Sequence, residues 1–87
     1  MMLLKDYLPN INKKFRNVSF SGLAFNSKKV KKNYIFVAIK GDRFDGNNYI
    51  NDAIKNGAKI IISSKFKDQI KNNIIYLNQK NPRQILS

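Results

Sequence analysis

Two runs of mostly apolar residues are separated by a stretch with helical spacing. Residues 34–39 are continuous, rich in β-branched and aromatic side chains and bounded by polar residues, and residues 58–63 form a second run around three isoleucines. Such runs are typical of strands buried on both faces of a sheet. Between them, the apolar residues from Tyr49 to Ile54 recur as on one face of a helix. A strand, a helix and a second strand in this order predict a right-handed βαβ unit with parallel strands.

Both ends of the predicted helix carry capping residues. Asn47 or Asn48 offers an N-cap side chain at its start. Asn56 and Gly57 follow its last apolar residue, and glycine suits the left-handed position that closes a helix. We therefore expect Asn56-Gly57 to end the helix directly before the second strand.

Shorter elements are predicted before this unit. Residues 3–8 have the spacing of one short amphipathic helix, residues 12–17 are predicted to form a polar loop, and residues 26–33 form a lysine-rich connection. Residues 18–25 are interrupted by Ser21-Gly22, which indicates either a bulge or a bend between two short strands.

The C-terminal part carries weaker patterns. We interpret residues 66–70 as a helical turn and residues 74–77 as a third short strand. Pro82 after Asn81 predicts the first turn of a further helix, because proline is favoured at the first helical position. The sequence reaches Ser87 before that helix is complete, so we expect one domain over residues 1–87 that is incomplete at its C-terminus.

Composition restricts the chemistry that the chain can perform. It has 17 Lys and Arg residues against 5 acidic ones, all of them Asp, and it contains no Cys and no His. Without cysteine there is neither a disulfide framework nor a thiolate zinc site, and without histidine the commonest general base is missing. We therefore expect no catalytic residue and no metal site in this chain.

The net charge of +12 allows two interpretations. Lys, Asn and Ile occur 14, 13 and 12 times, and all three have AT-rich codons, so the charge can reflect composition and describe only a solvated basic surface. The alternative is a small basic nucleic-acid-binding domain, which requires the charges to cluster on one face. Apart from the run at residues 28–32 the lysines are scattered, so nucleic acid is the less favoured partner.

The sequence also bears on location. No apolar run approaches the roughly 18 residues that span a bilayer. The first residues, Met1 to Asp6, lack the pattern of a signal peptide. We therefore expect a cytoplasmic protein with no membrane partner.

The loop at residues 41–46 occupies a favourable place for a ligand, because it follows the first buried run and precedes the helix. In parallel α/β sheets, ligands bind outside the carboxyl ends of the strands, and helix N-termini attract anions. Arg43 can hold a phosphate through two guanidinium nitrogens, and Phe44 can lie against a base. From position alone, an ordinary Asp45-Gly46 surface turn is the alternative.

A second candidate segment, Phe25-Asn26-Ser27, ends the preceding extended stretch. A hydroxyl and backbone N–H groups at such a point can meet a phosphate, whereas a simple Asx or Ser turn is the alternative. The chain has no G-x-x-x-x-G-K-[ST] loop, so hydrolysis of a nucleoside triphosphate within it is not expected.

Taken in order, several spaced segments form a pattern that is more specific than any single motif. They are residues 21–30, 35–41 and 44–46, then Tyr49-Ile50, Ala53-Ile54 and Gly57-Ala58. This pattern resembles the N-terminal domain of the Mur ligases. It is most similar to the ligase that adds the third residue of the muramoyl peptide, and the ligase that adds the terminal dipeptide stays open as an alternative.

The resemblance implies a small three-layer α/β/α domain with a short, mostly parallel or mixed sheet. It implies that the domain binds the UDP end of a UDP-N-acetylmuramoyl peptide for an ATP-dependent, amide-forming ligase of peptidoglycan biosynthesis. ATP and magnesium would be bound by the central and C-terminal ligase domains, so this chain is expected to hold no cofactor and to have no catalytic activity alone. The positions that match the UDP contacts of the family are Phe25, Ser27, Asp42, Arg43 and Phe44, with Asn26, Lys28, Asp45 and Gly46 in support.

The sequence departs from the family pattern at several of these positions. Asn26 and Lys28 stand where the family has Asp and Arg, and Asn47 stands where it has His. Lys28 keeps the charge but loses the planar fork of arginine, so its contacts should be weaker. Asn33-Tyr34 replaces Gly-Asp, and Asn33 can still serve the turn because asparagine tolerates the left-handed conformation.

Overall fold

A computed structural model of the chain describes residues 2–8 and 10–82. These described residues contain seven strands, two short α-helices and three 3-10 turns. The 3-10 turns lie at Lys13–Phe15, Ser27–Lys29 and Gly46–Tyr49. The other elements, in chain order, are β1 (Met2–Leu3), α1 (Leu4–Tyr7), β2 (Ser19–Phe20), β3 (Gly22–Ala24), β4 (Tyr34–Val37), α2 (Ile50–Lys55), β5 (Ala58–Ser63), β6 (Gln69–Lys71) and β7 (Ile74–Asn78).

Five of the strands form one mixed sheet in the order β3-β4-β5-β7-β6. Neighbouring strands from β3 to β7 are parallel, and only β6 runs antiparallel to its neighbour β7. The predicted unit of strand, helix and parallel strand corresponds to β4, α2 and β5. The expected small α/β domain with a mostly parallel sheet is therefore confirmed.

The two faces of the sheet bury separate apolar clusters. Along β4, Ile35 and Val37 contact one cluster and Phe36 contacts the other, as the alternation of side chains along a strand requires. The N-terminal segment covers the first face through Leu4, whereas α2 covers the second face through Ala53. The sheet thus lies between two layers, in agreement with the predicted three-layer arrangement.

The N-terminal layer contains more structure than the sequence pattern predicts. Residues 12–17 are not a plain polar loop, because Lys13–Phe15 is a 3-10 turn and Phe15 is only 3% exposed. The side chain of Asn12 accepts a hydrogen bond from the Lys14 amide at 3.0 Å. Burial of one aromatic ring against the sheet fixes this segment, even though its neighbours are charged. The predicted helix is also shorter than expected, because Leu3 pairs with β2 and α1 begins at Leu4.

The prediction of a helical turn at residues 66–70 is wrong. Gln69–Lys71 instead forms β6, which pairs with β7 across the two-residue turn Asn72-Asn73. Both asparagines have positive φ, 53° and 66°, the conformation of the type I′ turn that matches the twist of a hairpin. The strand predicted at residues 74–77 is confirmed as β7, and the helix predicted from Pro82 onward lies mostly outside the described residues.

Gly57 ends α2 in the way that the sequence predicts. Its φ is +118°, and a Cβ atom built there would lie 2.7 Å from the Cα atom of Lys32. The glycine therefore has two roles, because it turns the chain into β5 and it lets the loop before β4 pass close to its backbone.

We expect Gly57→Ala to lower the free energy of unfolding by about 1–3 kcal/mol, because the strained conformation and the collision must both be relieved. The melting temperature of a chain of this size should fall by roughly 4–8 °C for each kcal/mol. Thermal unfolding followed by circular dichroism measures the change. Asn51→Ala, at an exposed position of α2, is the control. Equal melting temperatures for both variants would contradict the role given to Gly57.

Candidate functional site

The two segments predicted to bind a ligand leave the sheet at the same edge. Strands β3 and β4 are parallel neighbours, with Ala24 opposite Phe36. Phe25-Asn26-Ser27 follows the end of β3, and the loop 41–46 follows the end of β4. Because β3 and β4 are parallel neighbours about 5 Å apart, both segments lie at the same, carboxyl edge of the sheet.

Asn26 shapes the first segment by capping a 3-10 turn. Its side-chain oxygen accepts a hydrogen bond from the Lys28 amide at 2.9 Å, and its carbonyl accepts one from the Lys29 amide at 2.9 Å. The segment thus forms the Asx turn that was expected as the alternative to a phosphate contact. The same bonds occupy both amides, so neither is available to donate to a ligand.

Ser27 lies at the base of this segment and is 4% exposed. Its carbonyl accepts a hydrogen bond from the side chain of Asn56 at 2.9 Å, which ties the first segment to the end of α2. Within the described residues, no group donates to or accepts from its hydroxyl. The hydroxyl therefore retains its hydrogen-bonding capacity in a place that is otherwise fixed.

The second segment is a tight loop closed by backbone hydrogen bonds. The Gly41 amide donates to the Phe44 carbonyl at 2.6 Å, and the Gly46 amide donates to the Ile39 carbonyl at 2.8 Å. Gly46 is needed at this close approach, because a Cβ atom there would lie 2.8 Å from the Ile39 nitrogen. The loop tip, Asp42-Arg43, is exposed, and neither side chain pairs with another described residue.

An aromatic pair stands beside this loop tip. The rings of Phe44 and Tyr49 stack with centroids 5.1 Å apart and planes inclined by 14°, although the two residues are 51% and 41% exposed. Phe25 is half-buried and packs against the first apolar cluster, on the face of the sheet that the N-terminal segment covers. Tyr49 was not among the predicted ligand contacts, and its helical spacing alone suggested only a position at the rim of the core.

Asp45 caps the helical segment that follows, so the prediction of Asn47 or Asn48 as the N-cap is wrong. The Asp45 carboxylate accepts a hydrogen bond from the Asn47 amide at 2.9 Å. A 3-10 turn, Gly46–Tyr49, then leads into α2 at Ile50. Both residue types are good caps, but the Asn47 side chain has other partners here, and Asp45 occupies the position directly before the turn.

Those partners form a polar network with the end of β5. The Asn47 side chain donates to Asp45 at 2.8 Å and accepts from the Ser63 hydroxyl at 2.6 Å. The Lys65 ammonium group pairs with the second carboxylate oxygen of Asp45 at 3.0 Å. Ser63 and Lys65 were not predicted from the sequence. Ser63 is the last residue of β5 and Lys65 lies two positions further on, so their place at the same carboxyl edge was the available indication.

This network keeps the Asp45 carboxyl group ionised. The pKa of Asp45 falls from 3.8 to about 2, mainly because the Asn47 side chain donates to the carboxylate, with further contributions from the Asn47 amide and Lys65. Asp45 is therefore an anion with its acceptors already used. It positions the loop and the helix start, and it leaves Asp42 and Arg43 as the charged groups at the loop tip that are open to a ligand.

The family of the chain can now be stated. The sequence model described as "Mur ligase family, catalytic domain" matches residues 19–85. The chain therefore belongs to the Mur ligase family, whose N-terminal domain it resembles in both sequence and fold.

The curated relatives agree with this assignment. The chain is 49% identical over 76 residues to UDP-N-acetylmuramoyl-L-alanyl-D-glutamate–2,6-diaminopimelate ligase 2 of Clostridium acetobutylicum, covering 82% of this chain. It is 43% identical over 68 residues to the corresponding ligase of Rickettsia typhi, covering 78% of this chain. It spans only 16% and 14% of the lengths of these two relatives.

Solved structures of the family share the fold. The chain superposes on the D-alanyl-D-alanyl-adding ligase of Acinetobacter baumannii with a TM-score of 0.70 over 95% of this chain and 18% of that one, at 22% identity. The MurF ligase of Thermotoga maritima gives a TM-score of 0.61 at 34% identity, over 74% of this chain and 14% of that one. The likeness to the Acinetobacter protein shows the fold alone.

The residues of this chain do not fit the ATP and magnesium that the family implies. The sequence lacks a G-x-x-x-x-G-K-[ST] loop, and among the described residues no three acidic side chains gather into a metal-binding group. None of the helices in residues 2–8 and 10–82 could span a bilayer.

The ionisation of Asp45 gives a prediction about pH. Because its pKa is depressed in the folded chain, the stability that Asp45 contributes is present above pH 3.8 and is lost as the pH falls through about 2.

We expect Asn47→Ala to raise the pKa of Asp45 part of the way towards 3.8, since the hydrogen bond from the backbone amide of residue 47 and the ion pair with Lys65 remain. Carbon-13 NMR titration of the carboxyl group measures it, with Asn48→Ala as the control. Titration of Asp45 near 3.8 in the unaltered chain would refute the network.

Proposed function

We propose that this chain is the substrate-anchoring domain of a peptidoglycan ligase and binds the UDP end of a UDP-N-acetylmuramoyl peptide. The observation that carries the proposal is the convergence of two segments at one sheet edge, where Arg43 is unpaired among the described residues and Phe44 is exposed beside it. The relatives support it, because their names specify a UDP-N-acetylmuramoyl dipeptide as the substrate.

The aromatic residues supply the surface for the uracil and ribose. Phe44 is already held by stacking on Tyr49 at 5.1 Å, so little side-chain freedom is lost when a base or sugar packs against it. Phe25 is half-buried directly after β3, and in this proposal it contacts the uracil and ribose from the first segment. The exposed carboxylate of Asp42 is an acceptor for the ribose hydroxyl groups.

The diphosphate contact rests on side chains. The amides of Lys28 and Lys29 are bonded to Asn26, so they do not donate to the anion. Arg43 supplies a planar, two-pronged donor, and Lys28 supplies a point charge from the neighbouring segment. The Ser27 hydroxyl adds a donor that is 4% exposed and already fixed in place.

Among the Mur ligases, we propose the one that adds the third residue of the peptide. The chain is 49% identical to the diaminopimelate-adding ligase 2 of Clostridium acetobutylicum, against 34% to the MurF ligase of Thermotoga maritima. The ATP-dependent formation of the amide would take place in other domains of the complete ligase. Because that reaction consumes ATP, we place the protein in the cytoplasm.

Arg43→Ala should weaken binding of UDP-N-acetylmuramoyl dipeptide by about 10–100-fold, since a hydrogen bond to a charged group contributes about 1.5–3 kcal/mol. Arg16→Ala, an exposed arginine of the N-terminal layer, should change the affinity by less than about twofold. Isothermal titration calorimetry measures both.

Equal losses in the two variants would mean that the affinity is a general effect of basic charge. A short oligonucleotide provides the second arm of this experiment. If it binds tightly and with a steep dependence on salt while the UDP compound does not bind, the chain is a nucleic-acid-binding domain instead.

A further inference from the structure

An open depression of about 650 Å³ lies at the amino edge of the sheet, at the other end of the strands from the candidate UDP loops. It is lined by the segments that lead into β3, β4, β5 and β7. Its polar lining residues are Ser21, Lys32, Asn33, Lys59 and Asn73. This volume is in the range of small-ligand sites.

Hydrogen bonds between turns hold the lining in place. The Ser21 amide donates to the Asn33 carbonyl at 2.9 Å, and the Asn33 amide donates to the Gly57 carbonyl at 2.9 Å. The Asn33 side chain also donates to the Ser21 hydroxyl at 3.3 Å. Positive φ angles occur at three lining residues, Asn33, Gly57 and Asn73. Each of them stands in the turn that leads into the next strand, so three such turns form the rim of the depression. The depression is therefore organised before any ligand arrives.

The charge of the depression is positive and uncompensated. Lys32 and Lys59 line it, no carboxylate does, and neither lysine has an ion-pair partner in the part of the chain that the structure describes. Lys59 is the extra residue of a bulge, because Tyr34 lies opposite Ala58 while Ile35 lies opposite Ile60. Bulges redirect side chains and are frequent beside functional sites.

The lining chemistry selects one class of ligand. Ammonium groups, side-chain amides and a hydroxyl are donors to phosphate oxygens, and lysine binds phosphate as a point charge. The lining contains no aromatic ring, so it offers no stacking surface for nucleic-acid bases. We propose that the amino edge is a second binding site, separate from the UDP loops, for a small polyvalent phosphate anion.

The test is an NMR titration of the nitrogen-15-labelled 87-residue chain with inorganic pyrophosphate at constant ionic strength. We expect saturable shifts of the Lys32, Asn33, Lys59 and Asn73 amides. Lys32→Gln together with Lys59→Gln should weaken this binding by about tenfold or more, because each charge-assisted contact contributes more than about 1 kcal/mol. Saturable shifts confined to the loop 41–46 would place pyrophosphate at the UDP loops and overturn the proposal.

The matched control is Lys5→Gln together with Lys13→Gln, which removes the same charge from exposed positions outside the depression. Thermal unfolding verifies that both double variants are folded. The proposal is overturned if pyrophosphate causes no saturable shift at the amino edge, or if the control pair weakens binding as much as the lining pair. It is also overturned if oligothymidylate binds the same residues more tightly than pyrophosphate, since the edge would then be a nucleic-acid surface.

Discussion

The parallel pairing of β3, β4 and β5 is the constraint on which the rest of the structure depends. These strands are buried on both faces, so their register is fixed by apolar packing. Because Ala24 lies opposite Phe36 and Val37 lies opposite Ile62, the strands end together. The Ser27 hydroxyl and Arg43 then lie at the carboxyl edge of the sheet, and the turns that lead into the strands lie at the amino edge.

Polar contacts hold the loops at the carboxyl edge of the sheet in an ordered arrangement. Asn56 joins α2 to the first segment through the Ser27 carbonyl, and Asp45 joins the second segment to the end of β5 through Lys65. Each contact spans residues far apart in the sequence, so the rest of the fold holds the loops in addition to their own local hydrogen bonds. A surface organised in this way loses little conformational freedom when it binds a ligand.

The sequence predicts those features that a few neighbouring residues determine. The buried strands β4 and β5, the turn at Gly57 and the Asn26 cap are of this kind, and all are observed. The Asn72-Asn73 hairpin and the burial of Phe15 depend on pairing with distant parts of the sheet, which periodicity does not report. For the same reason the contacts of Asp45 and Asn47 with Lys65 and Ser63 were not foreseen. Position after the strands and the family motif both marked the two segments in the sequence, and their contact with a ligand stays a prediction.

The most direct test of the account is the position of the uracil ring in a complex with UDP-N-acetylmuramoyl dipeptide. Isotope-filtered nuclear Overhauser spectra of the carbon-13-labelled chain record which side chains lie against the uracil protons. The account predicts contacts with Phe44 and Phe25, at the carboxyl edge of the sheet. A saturated complex in which the uracil contacts neither ring, or lies against the amino-edge residues such as Asn33 and Lys59, would contradict it.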